Sequence, residues 1–158
     1  ALADIKTYDH RIDAINFALD HDDGVKFKGY EQADVILVGV SRSGKTPCCL
    51  YMALQFGVFA ANYPFTDEDL SCTALPKALS PYRNKLFGLT IDRKRLEHTR
   101  TARRPNSQYA SPMQCHAETG QIEKLYIDES IPFLNSTHYS IEEIATKVMA
   151  KANIQRRL

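Results

Sequence analysis

Short apolar runs alternate with stretches of helical spacing along this chain. Residues 34–39 contain the unbroken run Val35-Ile36-Leu37-Val38, rich in β-branched side chains. That is the pattern of a central strand buried on both faces. Three more runs read as short strands: residues 58–62, closed by Pro64; residues 85–91, ending at Asp92; and residues 131–135, where Pro132 suits an edge or a strand start. The stretches between them carry the longer period. Residues 8–19 place Ile12, Ile15, Phe17 and Leu19 on a partly helical pattern that stops at His21-Asp22-Asp23-Gly24. Residues 45–56 read as a helix with Pro47 tolerated in the first turn. Residues 93–104 form a basic helical segment halted by Pro105. Ser111-Pro112 opens another helix, the serine as cap and the proline at the first helical position. Ser140 with Glu143 three residues on is a capping box ahead of Ile141, Ile144, Ala145, Val148 and Met149. Residues 25–33 read as a loop or short hairpin arm, and residues 66–84, with Pro76 and Pro81, as mostly loop. The alternation predicts an α/β fold: a mostly parallel sheet of about four to five strands with helices on both faces, in one domain over residues 1–158.

The junction after the first strand carries the clearest chemistry. Gly39-Val40-Ser41-Arg42-Ser43-Gly44-Lys45-Thr46 reads G-x-x-x-x-G-K-T, between an apolar strand and a helical sequence. That is the setting a phosphate-binding loop requires. The glycines let successive backbone N–H groups converge on an anion, and the next helix adds its positive end. Lys45 would reach the β- and γ-phosphates and Thr46 would ligate Mg²⁺. The expectation is a P-loop nucleotide-binding domain.

Bulk properties narrow the partners. At 158 residues the chain is long enough to bury a core without staples. Its formal net charge of +1 gives no global field for nucleic acid or an anionic membrane. It has no apolar run of the roughly 18 residues a membrane span needs, and a cytoplasmic location is the default. The cysteines at 48, 49, 72 and 115 show no C-x-x-C spacing. Cys48 and Cys49 diverge by about 100° on a helix, so they read as small packing residues.

Ligands of such sheets gather at the carboxyl ends of strands. Asp92, at one such end, reads either as a contributor to the Mg²⁺ shell or as a helix N-cap. Asp22 and Asp23 could supply a base for an incoming hydroxyl or a metal ligand, or could simply be a polar helix end. The basic stretch around Arg93, Lys94, Arg95 and Arg100 reads as a solvated helix face. Arg103 and Arg104, before the turn Pro105-Asn106-Ser107, could close over polyphosphate, and Arg42 inside the loop is a second candidate of that kind. His116 and His138 lack spaced partners and read as structural or surface residues.

Several blocks together resemble the bacterial phosphoenolpyruvate synthetase regulatory proteins, relatives of the plant pyruvate, phosphate dikinase regulatory proteins. They are I-N-F-A-L-D-H-D-D-G at 15–24, A-D-V-I-L-V-G-V-S-R-S-G-K-T-P at 33–47, F-G-L-T-I-D at 87–92, R-R-P-N-S-Q-Y-A at 103–110 and I-P-F-L-N-S-T-H-Y-S-I-E-E-I-A at 131–145. The resemblance implies a bifunctional switch. It would phosphorylate a threonine of phosphoenolpyruvate synthetase from ADP and reverse this with inorganic phosphate, releasing pyrophosphate. On that basis residues 39–46 hold ADP, with Lys45 on phosphate and Thr46 on Mg²⁺, while Arg42 and Pro47 match the family pattern. Arg103 and Arg104 are candidates for the inorganic phosphate. The block at 21–24 strengthens Asp22 and Asp23 as acid–base candidates, beside Asp92. Two departures stand out: Cys48-Cys49 where Thr-Ser is common, and Gln108 where arginine is frequent. Family members have a substantial region before the 15–24 block, so the chain reads as a C-terminal portion. A switch acting on a large dimeric enzyme can itself be a homodimer. A small-metabolite kinase and a nucleotide-binding regulatory module without turnover are the alternative readings.

Overall fold

A computed structural model describes residues 2–22, 29–71 and 74–158. The order of elements is α1 (Leu2–Asp20), β1 (Val35–Gly39), α2 (Lys45–Phe56), β2 (Ala60–Pro64), α3 (Asp67–Ser71), β3 (Leu86–Thr90), α4 (Arg93–Arg103), α5 (Pro112–Asp128), β4 (Phe133–Asn135) and α6 (Ile141–Lys151). The four strands form one parallel sheet in the order β2-β1-β3-β4. Central β1 is flanked on both edges, so its backbone groups pair on both sides. Its uniformly buried residues explain the unbroken apolar run.

Strand alternation splits the core in two. Val35 and Leu37 of β1, with Phe87 and Leu89 of β3, face α1, α2 and α6. Ile36 and Val38 point the other way, towards Leu96 of α4 and Cys115, Ile122 and Tyr126 of α5. Ile144, Ala145 and Val148 form the buried stripe of α6, which begins with the expected capping box. Ser111 likewise caps α5 by accepting from the Gln114 N–H.

Three expectations shift. The second strand starts at Ala60 rather than 58, because Val58 and Phe59 complete the turn out of α2: Val58 N–H donates to the Met52 carbonyl. The span 66–84 holds α3 and a 3-10 turn at Ser80–Lys85, with Pro81 in its first turn. Helix α1 buries Ala14, Phe17 and Ala18 while Ile12 and Leu19 are exposed, so small residues rather than the large aliphatics set its packing face. The hairpin arm expected at 25–33 lies mostly outside the described residues; Tyr30–Gln32 form one 3-10 turn. Among the described residues no helix is long and apolar enough to cross a membrane.

Candidate functional site

The chain runs from β1 to β2 on one side and then returns past β1 to β3 on the other. The loops leaving β1 and β3 therefore diverge at their carboxyl ends, opening the crevice where such sheets bind ligands. Residues 39–46 lie there. Gly44 sits at φ +100°, a conformation that penalises any side chain. Gly39 is required for a different reason: a Cβ there would approach the Leu89 carbonyl oxygen to 2.8 Å and Ser43 Oγ to 2.9 Å. Arg42 adopts φ +71° without being glycine, costing roughly 1 kcal/mol that the surrounding bonds must offset.

Those bonds are many. Ser43 Oγ and Lys45 Nζ both donate to the Val40 carbonyl, at 2.8 and 2.7 Å. Ser136 Oγ, just past β4, donates to the Ser43 carbonyl at 2.9 Å. Arg100 Nη2 donates to the Ser41 carbonyl at 3.2 Å, and Ser41 Oγ lies 2.6 Å from the Tyr109 hydroxyl. The loop bounds a cavity of about 280 Å³ running from Ser41 to Pro47, with Thr99 of α4 opposite.

A second group forms at the first turn of α2. Thr46 Oγ1 donates to Asp22 Oδ1 at 2.7 Å, and Asn62 Nδ2 donates to the same carboxylate oxygen at 2.5 Å and to Thr46 Oγ1 at 3.0 Å. Two contacts hold Asp22 there. Its neighbour His21 stacks on Phe17 with centroids 4.1 Å apart, and the His21 carbonyl accepts the Asn62 N–H. Asn62 Oδ1 is buried with no hydrogen-bond partner among the described residues. A buried acceptor of that kind calls for a water or ligand atom.

These residues fit a nucleotide phosphate accompanied by Mg²⁺. The loop offers a buried ammonium at a helix N-terminus. Thr46 and Asp22 offer two oxygens, and no cluster of three or more His, Cys, Asp or Glu suited to a metal occurs among the described residues. Few protein ligands plus phosphate oxygens is the habit of Mg²⁺ rather than of a resident metal.

The other candidates sit apart from this group. Asp92 occupies the N-cap position of α4 without a side-chain capping bond. Its Oδ1 instead accepts from Asn135 Nδ2, its N–H donates to Thr137 Oγ1, and His138 Nε2 lies 3.8 Å from Oδ2. Arg103 and Arg104 end α4, with Arg104 5.7 Å from the Tyr109 ring centroid, and neither lines the loop cavity. The turn after them is hydrogen-bonded internally, Ser107 Oγ donating to the Arg104 carbonyl. Asp23 lies outside the described residues. His116 and His138 are exposed.

One reading of the basic stretch needs correcting. Arg100 is fully buried and forms a bidentate pair with Glu118 at 2.8 and 2.9 Å. Burial works against its charge, but the Glu118 carboxylate outweighs it and holds the guanidinium above its ordinary pKa. The same guanidinium donates to the Tyr109 carbonyl and lies 4.2 Å from that ring. Asn62, Tyr109, Glu118 and Ser136 were all missed as site residues. Asn62 left one signal, a lone amide in the apolar run 58–65, and Tyr109 and Ser136 another, their place in the blocks at 103–110 and 131–145; Glu118 left none. Cys48, Cys49 and Cys115 are buried, and burial pushes the Cys48 thiol up to about 12 and the Cys49 thiol well above its ordinary value, which suits packing rather than nucleophilic chemistry.

Comparison with known proteins agrees on a family. A protein of Legionella pneumophila (strain Corby) is 61% identical over 157 residues, 99% of this chain and 58% of its own length. One from Laribacter hongkongensis (strain HLHK9) is 57% identical over 150 residues, 95% of this chain and 55% of its own. One from Pseudoalteromonas atlantica (strain T6c / ATCC BAA-1087) is 57% identical over 153 residues, 96% and 57% respectively. All three bear the provisional name phosphoenolpyruvate synthase regulatory protein. The chain thus spans somewhat more than half the length of the relatives it matches. Residues 3–149 match the profile of the kinase/pyrophosphorylase family, and the chain belongs to that family.

Proposed function

We propose that this chain carries the phosphotransfer centre of a two-way switch on phosphoenolpyruvate synthase. In one direction a threonine hydroxyl of the synthase attacks the terminal phosphorus of ADP. The bond to the bridging oxygen breaks and AMP leaves. In the other, an oxygen of inorganic phosphate attacks phosphothreonine, the bond to the threonine oxygen breaks, and pyrophosphate leaves. The family description, kinase/pyrophosphorylase, and the names of the relatives support this pairing of reactions.

The observation that carries the reading is the meeting of Thr46, Asp22 and Asn62 at the first turn of α2, directly after the loop whose Val40 carbonyl holds Lys45. Phosphoryl transfer asks the protein for position and charge rather than covalent chemistry. Lys45 exchanges the Val40 carbonyl for phosphate oxygens. Thr46 Oγ1, its proton directed to Asp22, would hold Mg²⁺. Bound with the nucleotide, the ion supplies neutralising charge to the transferred group. Asp22 is the base: Oδ1 is fixed by Thr46 and Asn62, and Oδ2 takes the threonine proton, returning it in the reverse reaction. Asp23 and Asp92 are the other acid–base candidates, Arg103 and Arg104 would bind the inorganic phosphate, and Arg42 would neutralise charge on the transferred group. The proposed setting is cytoplasmic, with no nucleic acid or membrane partner and a possible second copy of the chain in the assembly.

Lys45→Ala should abolish both directions when the protein is incubated with synthase, Mg²⁺ and either ADP or inorganic phosphate and the phosphothreonine is mapped. A variant that loses kinase activity yet keeps phosphorolysis would sink the shared site. Turnover of small alcohols in place of the synthase would favour a metabolite kinase. ADP binding without turnover by chain and full-length protein alike would favour a regulatory module.

A further inference from the structure

The phosphate cavity is not closed at its β3 side. A second cavity of about 250 Å³ continues from it, the two sharing Arg42, Gly44 and Thr99. Its walls differ in kind from those of the loop. Ile91 follows β3 directly, Ile141 and Ile144 belong to the first turns of α6, and Tyr139 and Arg95 stand at the rim. Ser136 and Thr137, just after β4, add hydroxyls. The wall is tied to the loop: Ser136 bridges the Ser43 and Thr90 carbonyls at 2.9 and 3.2 Å, which fixes the spacing between them.

We infer that this extension holds the nucleoside of the nucleoside diphosphate, with the base between the aliphatic wall of Ile91 and Ile141 and the rim formed by Arg95 and Tyr139. The inference rests on the proposed nucleotide site and deepens it. Continuity commits the occupant, since whatever enters must join a phosphate group in the loop. Apolar side chains, an aromatic ring and a guanidinium suit the π-face of a heteroaromatic base, and hydroxyls suit its edge or the ribose. The opposite cavity, about 310 Å³ beside β2, makes the contrast. It shares only Ser41 with the phosphate cavity and is lined by the carboxylates of Asp67 and Glu118 and the amides of Gln108 and Gln114. The Arg100 guanidinium there is committed to Glu118, so the cavity offers the Asp67 carboxylate and two amides to a peptide rather than a cation to a polyphosphate tail. A nucleoside on the β3–β4 side leaves the terminal phosphate facing Asp22 and Asn62, where the acceptor then arrives from the β2 side.

The test titrates ADP and, separately, inorganic pyrophosphate into the wild type and into Tyr139→Ala, Arg95→Ala and Ile141→Asp. Tyr139 and Arg95 are exposed, so their variants keep the fold; Ile141 packs on the core, so the thermal midpoint of Ile141→Asp is measured before its titration, and the two exposed variants decide the test if it unfolds. Each should weaken ADP about tenfold or more, the scale of lost base stacking, and leave pyrophosphate within about twofold. Photolabelling with 8-azido-ADP should modify residues 136–144. Equal losses for both ligands, unchanged ADP affinity, or label at 65–67 or 108–114 would place the base elsewhere and overturn the inference. Wild type that binds pyrophosphate but not ADP rejects the nucleoside pocket while sparing the phosphate loop. Wild type that binds neither rejects the nucleotide reading and the pocket with it.

Discussion

Asn62 makes three hydrogen bonds: two from the side-chain Nδ2, to Asp22 and Thr46, and one from its backbone N–H to the His21 carbonyl. Such a residue would set the angle of the proposed base, Asp22. Asn62→Ala should therefore lower kcat in both directions by about 10- to 100-fold, the usual cost of losing a partner that orients a reactive group, while changing ADP affinity little. Steady-state kinetics with separate ADP titration checks this; a variant that loses ADP binding but keeps kcat would make Asn62 a ligand contact instead. Asn62→Asp tests the electrostatics. A second carboxylate 2.5 Å from Asp22 would raise the affinity of one of the pair for a proton, moving the acid limb of the kcat profile to higher pH. Legibility at this scale was uneven. Gly39, Gly44, Lys45 and Thr46 fall within eight consecutive residues, and a short fixed spacing is what a sequence displays. Asp22 and Asn62 reach Thr46 from 24 and 16 residues away, a meeting that only the β1–β2 pairing creates.

Helices α4 and α5 illustrate the same limit between elements. Arg100 and Glu118 lie 18 residues apart on separate helices, and a row of basic residues gave no hint that one of them turns inward. Their pair ties both helices to the Ser41 carbonyl. Arg100→Ala leaves the Glu118 carboxylate buried without its cation and should cost about 3–5 kcal/mol in urea unfolding. Arg100→Met with Glu118→Leu should recover much of that stability but not the bond to Ser41, so phosphate affinity should remain reduced. Helix α2 carries a pH signature of its own. Burial raises the Cys48 thiol from its ordinary 9.0 to about 12. A thiol that is harder to deprotonate when folded contributes its full stability below pH 9. That contribution is lost as pH climbs from about 9 towards 12, because the unfolded chain releases its proton first. Cys48→Ala should flatten the alkaline fall in thermal midpoint over that window, and an unchanged slope would assign the fall to other groups. Where the helix boundaries depend on caps, as at Ser111 and Ser140, the sequence showed them plainly.

Across the molecule, the parallel sheet was readable because uniform burial of β1 leaves an unbroken apolar run, whereas the strand order was not, since β2 and β3 look alike until their register is seen. That order places the loop, the Asp22 group and the base of α6 on one rim, so ligand binding should tie elements from both halves of the chain together. A ligand that binds only the folded form stabilises it by mass action, about 2.7 kcal/mol at a hundredfold excess over Kd. For a chain of this size each kcal/mol moves the midpoint by about 2–4 °C, so saturating ADP with Mg²⁺ should raise it by roughly 5–10 °C. Lys45→Ala should erase the rise, since its ammonium, buried against the Val40 carbonyl, is the loop cation proposed to meet the phosphate. At equal concentration pyrophosphate should give a smaller rise that Lys45→Ala also erases, because without contacts to α6 and the loop after β4 it binds more weakly. If pyrophosphate matches ADP degree for degree at equal concentration, the nucleoside adds no binding energy through α6, and the coupling between the two halves of the chain runs through the loop alone.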